Sequence, residues 1–183
     1  EVPHAPHLAV TATPWPGPVA VYSAPADSGY ALADTIGARA VVGVTETALG
    51  AAPAGRIDRG APLVVRLASG TLQSVSEAEM LAGANALAIG DGTPDAWEVL
   101  QFRDAALLPH GRWALSYRLR GQAGTDGIMP ETWPTGSIVV RLDGRPRQVP
   151  LASADRSVAR HYRVGPASRG YDDPAFTHAV HAF

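Results

Sequence analysis

The alternation running from Arg112 to Arg120 constrains this chain more than any other feature. Trp113, Leu115, Tyr117 and Leu119 alternate with Arg112, Ala114, Ser116, Arg118 and Arg120. That period of two sends rings and branched chains to one face of an extended strand and guanidinium groups to the other. Upstream, residues 97–102 form a second apolar run, and Pro109-His110-Gly111 lets the chain reverse between residues 105–108 and 112–115. The expected unit is a β-hairpin. Its second strand ends at Gly121 and Gly124, whose spacing permits a tight backbone path. A phosphate-cradling P-loop would need a lysine there, and the chain contains none.

Further hairpin signals flank this one. Residues 85–89 and 97–102 bracket Gly90-Asp91-Gly92-Thr93-Pro94, residues 63–67 and 71–75 bracket Ser69-Gly70, and residues 137–142 and 145–149 bracket Asp143-Gly144. Asp-Gly is the strongest two-residue hairpin signal in the chain. Residues 8–13, 19–23, 39–49, 158–164 and 175–183 read as further strands, with 30–36 open between a strand and a helical turn. One helix is expected at residues 77–82, because Ser76 and Glu79 form a capping box and Gly83 sits where a left-handed C-terminal cap belongs. Met80 and Leu81 are its expected apolar contacts. Turn signals recur about every 8–12 residues with no βαβ alternation. The fold class is mainly β: antiparallel hairpins forming a barrel-like or sandwich module, with one short helix. Residues 1–7 read as a linker or arm and 8–183 as the module, which is either undivided or made of two sub-modules that meet near Ser76.

The length of 183 residues suits one domain or two small ones, with 46% hydrophobic residues to build a core. All 15 basic residues are arginine, which fits either a GC-rich bacterial genome or a demand for planar bidentate contacts. A net charge of −2 leaves no cationic footprint for sequence-specific nucleic-acid binding. The absence of cysteine excludes disulfides and thiolate metal sites. No apolar run approaches the roughly 18 residues of a transmembrane segment. Beginning at Glu1 and ending inside a strand-like run, the chain reads as a section of something longer.

Catalytic constellations are weak. Ser116 and Ser137 lie in expected strands and no nucleophile elbow occurs. Of the six glutamates, Glu98 and Glu131 alone lie near the aromatic-rich middle, and Glu98 reads as a solvated or ion-paired strand residue. No catalytic, cofactor or metal site is expected. The spacing of His4 with His7, and of His178 with His181, would converge on a helix but diverges on a strand. Trp97, Trp113, Tyr117 and Trp133 are candidate core aromatics, or alternatively a glycan-stacking platform. Arg112, Arg118 and Arg120 share one expected strand face, so they are candidates for an interface with another subunit, solvation being the default.

The Trp-Glu-Val-Leu-Gln-Phe-Arg hairpin from Trp97, with the Leu-Arg-Gly-x-x-Gly-Thr turn from Leu119, resembles a section of large tail-tip proteins. These are the host-specificity or baseplate hub proteins, of the barrel-containing "megatron" type, found in gene transfer agents and siphophage-like tails. The resembling section lies downstream of their TIM-barrel-like segment. Residues 76–90 and 161–165 resemble the flanking segments of that family, so the likeness covers about residues 18–170. The resemblance implies a non-enzymatic structural part of a virion-like particle, at the tail tip or baseplate, assembled in the bacterial cytoplasm. It implies a homotrimer that meets distal-tail, tail-tube and other hub proteins, contacts the host envelope and opens for DNA delivery. The alternative is a carbohydrate-binding β-module that reads a host-surface glycan. An envelope-degrading enzyme is the third reading.

Overall fold

The computed structural model describes residues 3–183, and the chain divides into two compact units. The first comprises residues 1–39 and 145–183, and the second comprises residues 40–144. In chain order the strands begin with β1 (His7–Leu8), β2 (Val19–Ala24) and β3 (Ala31–Ile36). The second unit then contributes β4 (Val42–Thr45), β5 (Leu49–Gly50), β6 (Ile57–Asp58), β7 (Leu63–Leu67), the helix α1 (Glu77–Leu81), β8 (Ala86–Gly90), β9 (Trp97–Leu108), β10 (Arg112–Gln122), β11 (Thr132–Trp133) and β12 (Ile138–Arg141). The chain closes with β13 (Arg147–Gln148), β14 (Arg160–Pro166) and β15 (Thr177–His181).

The second unit is a closed antiparallel barrel of six strands, in the order β10-β7-β4-β12-β8-β9 and back to β10. Closure removes the free edges that an open sheet would leave. Its seam is the expected hairpin: β9 and β10 pair from Leu108 with Arg112 to Val99 with Gln122. One edge of β10 serves two partners in succession, β7 at residues 112–115 and β6 at Arg118 and Leu119. The interior is filled by Leu63, Val65, Leu87, Ile89, Leu100, Phe102, Leu115 and Val139, all essentially without exposure. Leu49 and Trp133, from the small ribbon β5–β11, join the same core.

One backbone feature decides which side chains of β10 face that core. Tyr117 has φ +54°, a left-handed conformation that a bulky residue rarely adopts. Before it the core side chains are odd-numbered, with Leu115 fully buried and Trp113 packed against the cluster. After it Arg118 and Arg120 are buried, opposite the core run of Leu100 and Phe102. Leu119 instead shares a face with Gln101, whose amide donates to the carbonyls of Met80 and Ala84 at 2.6 and 2.8 Å under α1. The expected alternation therefore changes phase at Tyr117, and beyond it both faces of β10 are covered, since Leu119 is buried as well as Arg118 and Arg120.

The helix has the expected capping box. Ser76 Oγ accepts from the Glu79 amide at 3.2 Å, and Glu79 Oε2 accepts from the Ser76 amide at 2.8 Å. Gly83 follows at φ +103°. Met80 is buried as expected, but Leu81 is 64% exposed, because a helix this short turns only one apolar side chain inward.

Two expected hairpins do not form, and one expected strand is divided. Residues 71–75 do not pair back on β7; Leu72 instead enters the core and the Gln73 carbonyl accepts from Asn85 Nδ2. The run at 39–49 is cut to β4 and β5, since Thr45 Oγ1 donates to the Pro134 carbonyl and Thr47 Oγ1 takes the Val64 amide. No hairpin forms across Asp143-Gly144. There β12 lies between β4 and β8, while β13 pairs with β1.

The first unit carries a four-stranded antiparallel sheet, β15-β14-β2-β3, over a core of Val19, Val21, Ile36, Val149 and Tyr162. The expected strand at 8–13 is reduced to β1, whereas residues 31–36 prove to be a strand. The expected arm is tied down: Ala5 is buried, the Pro6 carbonyl accepts from the Val149 amide, and His4 donates to the Leu151 carbonyl at 3.3 Å. Glu1 and Val2 lie outside the described residues. Ser76, the candidate point of division, lies within the second unit.

Candidate functional site

Burying Arg118 and Arg120 requires partners, because an unpaired charge in an apolar interior costs far more than a hydrogen bond returns. Arg120 forms a two-pronged pair with Glu98, Nε to Oε1 at 2.6 Å and Nη2 to Oε2 at 2.8 Å, with neither side chain exposed. Glu98 also accepts from the Gly121 amide at 3.1 Å and from Trp133 Nε1 at 2.7 Å. Arg120 Nη1 donates to the Gly50 carbonyl at 2.6 Å. Four donors converge on one carboxylate, and the network joins the β5–β11 ribbon to the barrel. Arg118 donates twice to Asp58 Oδ2, at 3.0 and 2.7 Å, and once to the Leu115 carbonyl. Burial would raise Asp58, but the Gly60 amide and the Arg118 guanidinium outweigh it and hold the carboxyl below its usual range.

These contacts correct the reading of Arg112, Arg118 and Arg120 as one exposed face. Arg118 and Arg120 face inward and are satisfied within the chain, so they have no free fork to offer another subunit. Arg112 alone stays half-exposed, donating to the Pro109 carbonyl at 3.0 Å and lying 3.7 Å from Glu46. The phase change at Tyr117 is the physical reason.

The four aromatics divide. Trp133 is buried and hydrogen-bonded to Glu98, and Trp113 packs against the barrel core. Trp97 covers Gly90 from across the β8–β9 pair and donates to the Thr93 carbonyl at 2.6 Å. Tyr117 carries the Arg103 guanidinium 3.7 Å over its ring. Trp133 and Trp113 belong to the core reading, and Trp97 and Tyr117 cover the barrel wall. A flat row of free rings for sugar stacking does not result. Glu98, with four donors and no exposure, offers no access to a substrate.

The first unit assembles a polar cluster that chain order conceals. Arg163 on β14 pairs with His178 on β15 and His161 pairs with Val180, so His161 and His178 are diagonal neighbours on one face. Their rings lie 10° from parallel and meet edge to edge, with centroids 5.3 Å apart and His161 Nδ1 3.0 Å from His178 Nε2. Asp27, in the turn after β2, brings Oδ1 to 3.9 Å from the same His178 nitrogen. That oxygen accepts from Tyr30 Oη at 2.6 Å and Arg163 Nη2 at 3.0 Å. The hydrogen bond from Tyr30, followed by that from Arg163, holds the Asp27 carboxyl below its usual range. The His178–His181 pair read from spacing does not converge: His178 meets His161 edge to edge, whereas His181 lies against Phe183. Only strand register brings residues 27, 161 and 178 together.

Comparison with known proteins bears on the barrel. The model of the family described as "Rcc01698-like, C-terminal" matches residues 40–140. This is more than half of the chain and nearly the whole of the second unit, from just before β4 to within β12. The chain belongs to this family. No curated protein matches the chain. The Rcc01698-like C-terminal family is associated with gene transfer agents, so the barrel is the family's domain and the Arg120–Glu98–Trp133 network lies inside it. Among the described residues, no helix is long and apolar enough to cross a membrane.

Proposed function

We propose that this chain is a structural module of the tail-tip hub of a gene transfer agent or related phage-like tail, working by assembly rather than catalysis. The observation that carries this reading is the match of the Rcc01698-like C-terminal family over nearly the whole barrel. The sequence resemblance to tail-tip hub proteins points the same way. A filled, edgeless barrel suits the role, because it holds its shape while presenting its outer wall to neighbours. In this reading the hub is a homotrimer that meets distal-tail and tail-tube proteins, touches the host envelope and admits DNA.

The test is to replace the encoding segment in a producing strain with a version lacking residues 40–144, and to image the particles by electron microscopy. The expected result is heads and tubes with absent or incomplete tips and loss of DNA delivery. Particles with complete tips and normal delivery would remove the hub role. Light scattering on the full-length protein, together with cross-linking inside particles, tests the trimer, and a strict monomer in both settings refutes it.

A further inference from the structure

Asp27, His161 and His178 place three metal-ligating atoms within 4.8 Å of one another on the sheet of the first unit. A zinc-class ion binds imidazole nitrogen at about 2.0–2.1 Å in tetrahedral geometry, so two nitrogens on one ion sit about 3.3 Å apart. His161 Nδ1 and His178 Nε2 are 3.0 Å apart, so a rotation of the exposed His178 ring that opens the pair by a few tenths of an ångström brings both nitrogens onto one ion. The carboxylate arrives already oriented, because Tyr30 and Arg163 both donate to one of its oxygens. Such outer partners are what fix a ligating group for an ion. The ligands come from three places in the chain: β14, β15 and the turn that follows β2.

We propose that Asp27, His161 and His178 form a binding site for a divalent transition-metal ion of the zinc class. Two imidazoles and one carboxylate favour zinc over magnesium or calcium, which take oxygen ligands. Three protein ligands leave a coordination position for water or for a donor from another chain. Arg163 adds like charge beside the ion, which weakens binding relative to a closed four-ligand site. An ion here ties the β2 turn to the edge strand β15, which among the described residues pairs with β14 alone. The site lies outside the residues matched by the family, so it stands independently of the hub reading.

The same nitrogen separation suits a direct hydrogen bond between the two rings, and the experiment must tell the two apart. Zinc chloride is titrated into the untagged full chain by calorimetry, with magnesium as the control, and imidazole resonances are followed by NMR. The expected result is saturable one-to-one zinc binding, no magnesium binding, and shifts confined to the His161 and His178 rings. Loss of an outer partner alone costs about 10–100-fold in metal affinity, so His178→Ala, on an exposed edge strand, weakens zinc binding at least about tenfold. Tyr30→Phe weakens it by about tenfold, whereas His181→Ala, on the opposite face of β15, binds as the wild type does. His161→Ala is half-buried, so the result at His178 decides if that variant does not fold. No saturable binding below about 100 μM zinc, or equal affinity in wild type and His178→Ala, overturns the site and leaves the pair as a hydrogen bond.

Discussion

Replacing Glu98 by glutamine is the most direct probe of how the barrel is held together. The two side chains are nearly isosteric, so packing is preserved and only the charge and half of the acceptor capacity are removed. All four groups that contact Glu98 are donors: two from Arg120, the indole N–H of Trp133 and the amide of Gly121. The glutamine NH2 therefore meets only other donors, in an orientation that no amide flip relieves. Arg120 is left charged at 0% exposure with no counter-ion. Breaking one side of such a buried pair costs about 3–5 kcal/mol. For a chain of this size that corresponds to a fall in Tm of about 6–20 °C. Chemical unfolding followed by tryptophan fluorescence is the assay, since Trp133 belongs to the network. Removing both charges, in Glu98→Leu with Arg120→Met, should cost less than the sum of the single changes, because no buried charge remains. A loss below about 1 kcal/mol in Glu98→Gln, the value of a solvated surface pair, would refute the reasoning.

Arginine-to-lysine substitution should divide the three arginines of β10. Arg120→Lys loses the fork and the Gly50 contact and is expected to cost about 1.5–3 kcal/mol by denaturant unfolding, while Arg112→Lys stays within about 0.5 kcal/mol. Asp58 has its folded pKa depressed below the ordinary 3.8, so its contribution is present above that value and is lost as pH falls through the folded pKa. The stability difference between wild type and Asp58→Asn should accordingly be largest near neutrality and shrink below about pH 4. At Gly90, an added Cβ would sit 2.6 Å from the Trp97 ring and against the Ala96 carbonyl. Gly90→Ala is expected to cost about 1–3 kcal/mol by overpacking, and an unchanged melting curve would contradict the close approach. Ser76→Ala removes the cap of α1 and should cost about 1 kcal/mol.

Features that rest on neighbouring residues were legible in the chain before folding. The β9–β10 turn at Pro109-His110-Gly111, the Ser76–Glu79 capping box and the β8–β9 pairing follow from local turn chemistry and periodicity, and each occurs where those predict it. The mainly β class follows for the same reason, because strand runs and turn signals are written within a few residues of one another. Local preference failed where a distant partner was available: Asp143-Gly144 is a strong hairpin signal, yet its two arms pair with β4, β8 and β1 instead. Tertiary structure alone decided the fate of the arginines. A single left-handed residue at Tyr117 changed the phase of β10, and Arg118 and Arg120 passed from an expected solvent face into the barrel, where Asp58 and Glu98 were already positioned by other strands. It also brought together Asp27, His161 and His178 from distant parts of the chain, through strand register that no local spacing encodes. Alternation specifies two faces. Which face is buried at each point depends on how the sheet bends and closes, and that is set by packing across the whole domain.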